Sequence, residues 1–263
     1  MANGLKINYY RTGGDKPAVV LLHGLSDYGL CWTRLPLFLE PSYDVVMVDL
    51  RGHGMSEKPE NGYRAEDMAD DVYWVIRTLS LSQPVVIGHS MGASVAAVFA
   101  RHNPKQVSGV VLEDPPWQII DGSDKNTTDR LTQEDFIARM QYLKSKSLEE
   151  IIAIGLAENP SWDETEFKQW AKGKQMVSLH AANWLTTQQT PWQEIVSALK
   201  VPGLLITSDI ERGAIVTPQV GNLVSQSWKA GEVVSLPGAG HNIHREQYYK
   251  FRDVVKLFLR RYL

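Results

Sequence analysis

The chain has 263 residues, a formal net charge of −3, 43% hydrophobic residues and a single cysteine. That length and apolar content suffice for one large α/β domain, or one domain carrying an insertion. The charge balance offers no basic footprint for nucleic acid. Cys31 alone excludes an intrachain disulfide and argues against a Cys-based metal site. No apolar run reaches the roughly eighteen residues of a membrane span. Met1-Ala2-Asn3-Gly4 does not read as a secretory leader, so a cytoplasmic location is expected.

Asn3-Gly4 is a hairpin-turn dipeptide, and the alternating stretch Leu5–Tyr10 after it predicts a strand. With almost nothing ahead of that turn, either an earlier strand is missing or the sheet begins here. Ala18–Leu22 predicts a strand buried on both faces, ending in His23-Gly24-Leu25-Ser26. Leu30–Leu39 reads as an amphipathic helix. Asp44–Val48 reads as a strand that runs into Asp49-Leu50-Arg51-Gly52-His53-Gly54-Met55-Ser56. Ala65–Leu79 carries Met68, Val72, Val75, Ile76 and Leu79 at helical spacing. Val85-Val86-Ile87 is the next buried strand, followed by Gly88-His89-Ser90-Met91-Gly92 and a helix over Ala93–Ala100. Val107–Leu112 is a further strand, closing in Glu113-Asp114-Pro115-Pro116. Strands alternating with helices in this way predict a mainly parallel, doubly wound α/β sheet.

Gly-x-Ser-x-Gly between a β-branched run and an Ala-rich helix is the nucleophile-elbow pattern. Ser90 must sit on a strained turn that lifts its hydroxyl clear of the sheet, and glycine two residues to either side removes the clashes that side chains would cause. The alternative is a glycine-rich turn whose serine only caps the next helix. Three motifs occur in order: His-Gly-x after one strand, Asp-x-Arg-Gly-x-Gly-x-Ser after the next, then Gly-His-Ser-Met-Gly. In this the chain resembles the α/β-hydrolase superfamily, over about residues 5–115 and 200–263, and within it the small bacterial carboxylesterases and lactonases.

Trp117 to about Ile195 breaks the alternation and shows no strand. Thr132 precedes an amphipathic run with Phe136, Ile137, Met140 and Leu143. Ser147-Leu148-Glu149-Glu150 and Ser161-Trp162-Asp163-Glu164 read as capping boxes, and Val177–Thr186 as a further helical segment. The resemblance implies a helical lid over residues 116–195, inserted between the strands at 107–112 and 202–207, with 1–115 and 196–263 forming the core domain. Pro202–Thr207 and Glu232–Leu236 are the last two strands. Thr217-Pro218 opens a helix to about Ser225, and Glu246–Tyr262 is the final helix.

A serine hydroxyl needs an adjacent base, and the base needs an orienting carboxylate. His241 is the expected base, in a glycine-rich loop after the last strand, and the order Ser, acid, His is the one this fold uses. His244 is expected to point elsewhere, and no histidine pair has metal-ligand spacing, so neither a metal nor a cofactor is expected. The acid should follow the strand at 202–207, where both Asp209 and Glu211 qualify. Asp114 is a third candidate, because some family branches place the acid there; an Asp-Pro turn is the preferred reading of it. The resemblance assigns the oxyanion hole to the backbone N–H groups of Leu25 and Met91, and gives Asp49, Arg51 and Ser56 structural roles. Trp117 and Trp184 are expected to face the substrate pocket, and Trp170 to pack in the core. The expected partner is a neutral hydrophobic ester or lactone, hydrolysed through an acyl-enzyme by a monomer or homodimer. A carbon–carbon-bond hydrolase of ring-cleavage products and a slow-turnover small-molecule receptor are the alternatives.

Overall fold

The computed structural model describes residues 4–119 and 131–263. Asn3, and with it the expected hairpin turn, lies outside them. Seven strands form one sheet: β1 (Tyr9–Arg11), β2 (Ala18–Leu22), β3 (Asp44–Val48), β4 (Val85–His89), β5 (Gly109–Glu113), β6 (Gly203–Thr207) and β7 (Gly231–Ser235). Their spatial order is β1-β3-β2-β4-β5-β6-β7, with β1 antiparallel to β3 and every other pair parallel. β2 to β6 are buried along their whole lengths, as continuous apolar runs require when helices cover both faces.

Alternate residues feed opposite cores. Val20, Leu22, Val46, Val48 and Val86 pack with α2 (Ala65–Thr78) and α3 (Met91–His102). Val19, Leu21, Val45, Met47 and Ile87 pack with α1 (Leu35–Leu39) and with α11 (Tyr248–Tyr262), the last helix of the chain. Among the described residues, five α-helices lie between β5 and β6 in sequence: α4 (Gln133–Lys144), α5 (Leu148–Glu158), α6 (Glu164–Met176), α7 (Asn183–Thr186) and α8 (Trp192–Ala198). After β6 come α9 (Pro218–Ser227), then β7, and α10 (Ile243–Glu246) directly ahead of α11.

Several local expectations shift for identifiable reasons. The predicted first strand shortens to Tyr9–Arg11 because residues 6–8 bond the loop after β3 instead. Asn8 N–H donates to Ser56 Oγ at 2.8 Å, and Lys6 C=O accepts from Glu57 N–H at 2.8 Å. The helix predicted over Leu30–Leu39 begins only at Leu35, since Pro36 fits a first helical turn and not an interior. Ser161 does not cap α6; Asp163 does, accepting from Thr165 N–H at 3.1 Å. At the sheet edge the Trp228 indole fills the space left by two glycines: a Cβ on Gly203 would stand 1.8 Å from the ring and one on Gly231 2.3 Å. Its Nε1–H donates to Val201 C=O at 3.0 Å.

The Asp49–Ser56 motif fastens the loop that follows β3. Asp49 accepts from Gly29 N–H at 2.7 Å and Met55 N–H at 2.9 Å. Arg51 reaches Asp71 on α2 through Nε at 2.6 Å and a second guanidinium nitrogen at 2.7 Å. Both side chains are buried, so removing one partner strands the other's charge. Arg51→Met should therefore cost about 3–5 kcal/mol. In urea the unfolding midpoint should drop while the slope stays constant.

Candidate active site

β4 is the central strand, and the turn that leaves it carries Ser90 at φ 53°, ψ −117°. Only glycine fits on either side: a Cβ on Gly88 would stand 2.2 Å from Gly92 O, and one on Gly92 2.3 Å from Leu22 O. Ser90 is half-buried and is the N-cap of α3, a helix whose buried residues are apolar apart from Ser94.

His241 lies in the loop between β7 and α10. Its Nδ1 contacts Asp114 Oδ2 at 2.7 Å, a distance at which the ring N–H donates to the carboxylate. Asp114 sits just past β5, fully buried, in the left-handed conformation at φ 40°. Two further donors hold its carboxylate: Ile215 N–H at 2.9 Å and Val216 N–H at 2.9 Å.

The acid expected after β6 is therefore not what meets His241. Asp209 accepts from Gly238 N–H at 2.8 Å and lies 3.7 Å from Arg212 Nε. Glu211 is exposed on the short 3-10 turn Ile210–Arg212. The loop after β6 reverses at Gly213, φ 98°, and supplies Asp114 with its N–H donors in place of a carboxylate. Asp114 was legible as a candidate from its place after β5; what the sequence does not display is where residues 215–216 turn.

Leu25 lies in a turn closed by Asp27 N–H to Gly24 C=O at 3.2 Å, with Ser26 left-handed at φ 67°. The N–H groups of Leu25 and Met91 have no hydrogen-bond partner among the described residues. Leu25, Ser90, Met91 and His241 all line one cavity of about 1100 Å³. Trp117 and Trp184 line it too, as do Trp162, Trp170 and Trp192, so Trp170 is a wall residue as well as a packing one. Trp117 stacks on Trp192, ring centroids 5.8 Å apart. Asp27, Lys174 and Arg245 form a charged part of the same wall, which no sequence motif announced.

Under this site three further histidines are held by hydrogen bonds. His23 Nε2 accepts from Leu50 N–H at 3.0 Å, and His89 Nε2–H donates to His241 C=O at 2.9 Å. His244 Nδ1 lies 2.9 Å from both oxygens of Glu113. His89, Glu113 and His244 form the one group among the described residues whose ligand-type atoms cluster as a metal site's would, within 4.8 Å. Their hydrogen bonds already give the Glu113 carboxylate and His244 Nδ1 partners.

A family model for the alpha/beta hydrolase fold matches residues 17–248, and the chain belongs to that family. Among characterised relatives, a 2-(acetamidomethylene)succinate hydrolase from Mesorhizobium japonicum is 38% identical over 104 residues, which is 40% of this chain and 37% of that protein. The match thus spans well under half of that relative's length. Two solved structures align along nearly the whole chain. An N-formylmaleamic acid deformylase from Pseudomonas putida has TM-score 0.81, 20% identity and 97% coverage of each chain. An esterase from Exiguobacterium antarcticum has TM-score 0.78, 20% identity, and 98% and 97% coverage. The family model establishes the hydrolase family, and the solved structures show the fold.

Two measurements follow from the geometry. Asp114→Asn should lower Ser90-dependent turnover by up to roughly 10⁴-fold, while Asp209→Asn and Glu211→Gln each stay within about tenfold of wild type. The second concerns Glu113, whose carboxyl burial pushes up from 4.5 to about 7. The folded state then holds a proton that the unfolded chain has released, so the carboxyl's contribution to stability falls as pH rises from about 4.5 to about 7 and is flat above. Thermal melts across that range should show the wild-type minus Glu113→Gln difference in Tm declining through the same window.

Proposed function

We propose that the chain is a serine hydrolase of neutral, hydrophobic carboxylic esters or lactones. The observation that carries this reading is the His241–Asp114 hydrogen bond on the cavity into which the strained Ser90 turn opens. Asp114 holds the imidazole with Nδ1 protonated, which leaves Nε2 as the base. Ser90 Oγ attacks the carbonyl carbon and its proton passes to His241. The N–H groups of Leu25 and Met91 hold the oxyanion of the tetrahedral intermediate. His241 then protonates the leaving alkoxide, and water releases the acyl group by the same steps in reverse order of roles.

The aromatic wall supports an apolar substrate, since such sites are mostly hydrophobic with a few placed polar groups. Helices α4–α8 supply most of that wall, so residues 116–195 act as a lid in this reading, over a core of 1–115 and 196–263. Lys174 and Arg245 on the wall pair with Asp27 and Glu166, and Arg139 pairs with Glu158, so the formal charges cancel. One observation favours a second reading. Burial raises the Glu166 carboxyl against the pull of Arg245, and Lys174 and Arg245 place two cations on the cavity wall, which suits an acid-bearing substrate. The relatives named for succinate and maleamic acid point the same way.

p-Nitrophenyl esters from acetate to dodecanoate, with Ser90→Ala as control, test the first reading. Turnover should rise with acyl length and vanish in the variant. The neutral hexanoate should exceed the mono-p-nitrophenyl ester of adipic acid, its carboxylate counterpart, by about tenfold or more in kcat/KM. Preference for the adipate ester would select the acid-bearing class, and no Ser90-dependent turnover on any ester would refute ester hydrolysis.

A further inference from the structure

The Gly24–Asp27 turn that presents the Leu25 N–H is gripped from outside the sheet. Lys174, on α6, places Nζ 2.8 Å from Ser26 Oγ, 3.3 Å from Ser26 O and 2.9 Å from Asp27 Oδ1. One ammonium thus meets three acceptors on two successive residues, which uses all its donors. Ser26 is the left-handed residue of that turn, a conformation that its own side chain does not favour and that surrounding contacts must maintain. The other oxygen of Asp27 accepts from Arg245 at 2.8 Å, four residues beyond His241. Arg245 also donates to Asn242 Oδ1 at 3.0 Å, next to the histidine itself.

Packing agrees with the charges. α6 approaches so closely at Gly173 that a Cβ there would stand 3.0 Å from Ser26 O and 3.5 Å from Cys31 Sγ. Lys174, Asp27 and Arg245 are all buried. Burial alone would raise the Asp27 carboxyl, but the Arg245 and Lys174 cations outweigh it and hold the group well below its ordinary range. Asp27 is therefore ionised through the whole neutral range.

We infer that Lys174 is a positioning residue for the oxyanion hole: it fixes the Ser26 turn so that Leu25 N–H points at the reacting carbonyl, and through Asp27 and Arg245 it couples that turn to the His241 loop. The inference rests on the serine-hydrolase reading. It makes seating of α6 a condition for stabilising the transition state, in addition to enclosing the substrate. Among these residues Lys174 is the one to change, because Asp27 keeps Arg245 as a partner when it is gone.

An alkyl fluorophosphonate tests this without knowledge of the natural substrate. Ser90 Oγ bonds to phosphorus, the P–F bond breaks, fluoride leaves and the hydroxyl proton passes to His241. The phosphoryl oxygen takes the oxyanion's place. Labelling at Ser90 is followed by mass spectrometry over a range of reagent concentrations, alongside a thermal melt of each protein. In Lys174→Met the limiting rate kinact should fall by about tenfold or more, with reagent affinity KI unchanged. Gly173→Ala, which keeps every charge but pushes on Ser26 O, should show the same split and carries the test if Lys174→Met fails to fold. Wild-type kinact in folded Lys174→Met, or a change confined to KI, would overturn the positioning role and leave the serine hydrolase intact. No label on Ser90 in the wild type would overturn both.

Discussion

The structure depends on a steric exclusion at one turn. Ser90 takes a positive φ between two positions where a single methyl group would overlap backbone: one on Gly88 would meet Gly92 O at 2.2 Å, and one on Gly92 would meet Leu22 O at 2.3 Å. That closeness lets α3 start directly at the end of β4 and press against the neighbouring strand β2. The serine is left facing outward from the central strand. Every other element of the site is arranged about this fixed point: β2 delivers Leu25, β5 delivers Asp114, and the loop after β7 brings His241 across to meet it.

How far the sequence discloses this depends on whether the relevant physics is local. The buried strands, the Ser90 turn and the helical segment between β5 and β6 follow from residue type and spacing within a short window. That His241 meets Asp114, and not Asp209 or Glu211, does not. That pairing is made by Ile215 and Val216, whose N–H groups meet a carboxylate 101 and 102 residues away in sequence, after a reversal at Gly213. A carboxylate that accepts two backbone donors as well as the imidazole is held in a single orientation, whereas Asp209 is spent on Gly238 and Arg212. Lys174 was more legible than it first looks. With Phe167, Trp170 and Ala171 it falls at helical spacing on the buried face of α6, and a lysine on an apolar face needs a buried acceptor. What helical periodicity could not supply was the identity of that acceptor.

Two sets of buried ion pairs share one arrangement. Arg51 with Asp71, and Lys174 and Arg245 with Asp27, each join a loop at the strand ends to a helix outside the sheet. Such pairs repay little of their desolvation cost as net stability, but they penalise misplacement heavily because a displaced partner strands a charge. Ion pairs in these positions therefore serve register more than cohesion. The apolar cores on the two faces of the sheet supply the cohesion.

The Trp228 indole has a consequence for how this sequence can change over time. It occupies room vacated by both Gly203 and Gly231, so a side chain at either glycine meets a ring that has nowhere to go. Shrinking the ring first would open a void beside β6 and β7, and enlarging a glycine first would force the strands apart. Each single step is costly although a joint replacement could pack well, so the three positions form an epistatic lock. Because β7 leads into the loop that carries His241, that lock binds the evolutionary freedom of a remote sheet edge to the candidate site at the centre.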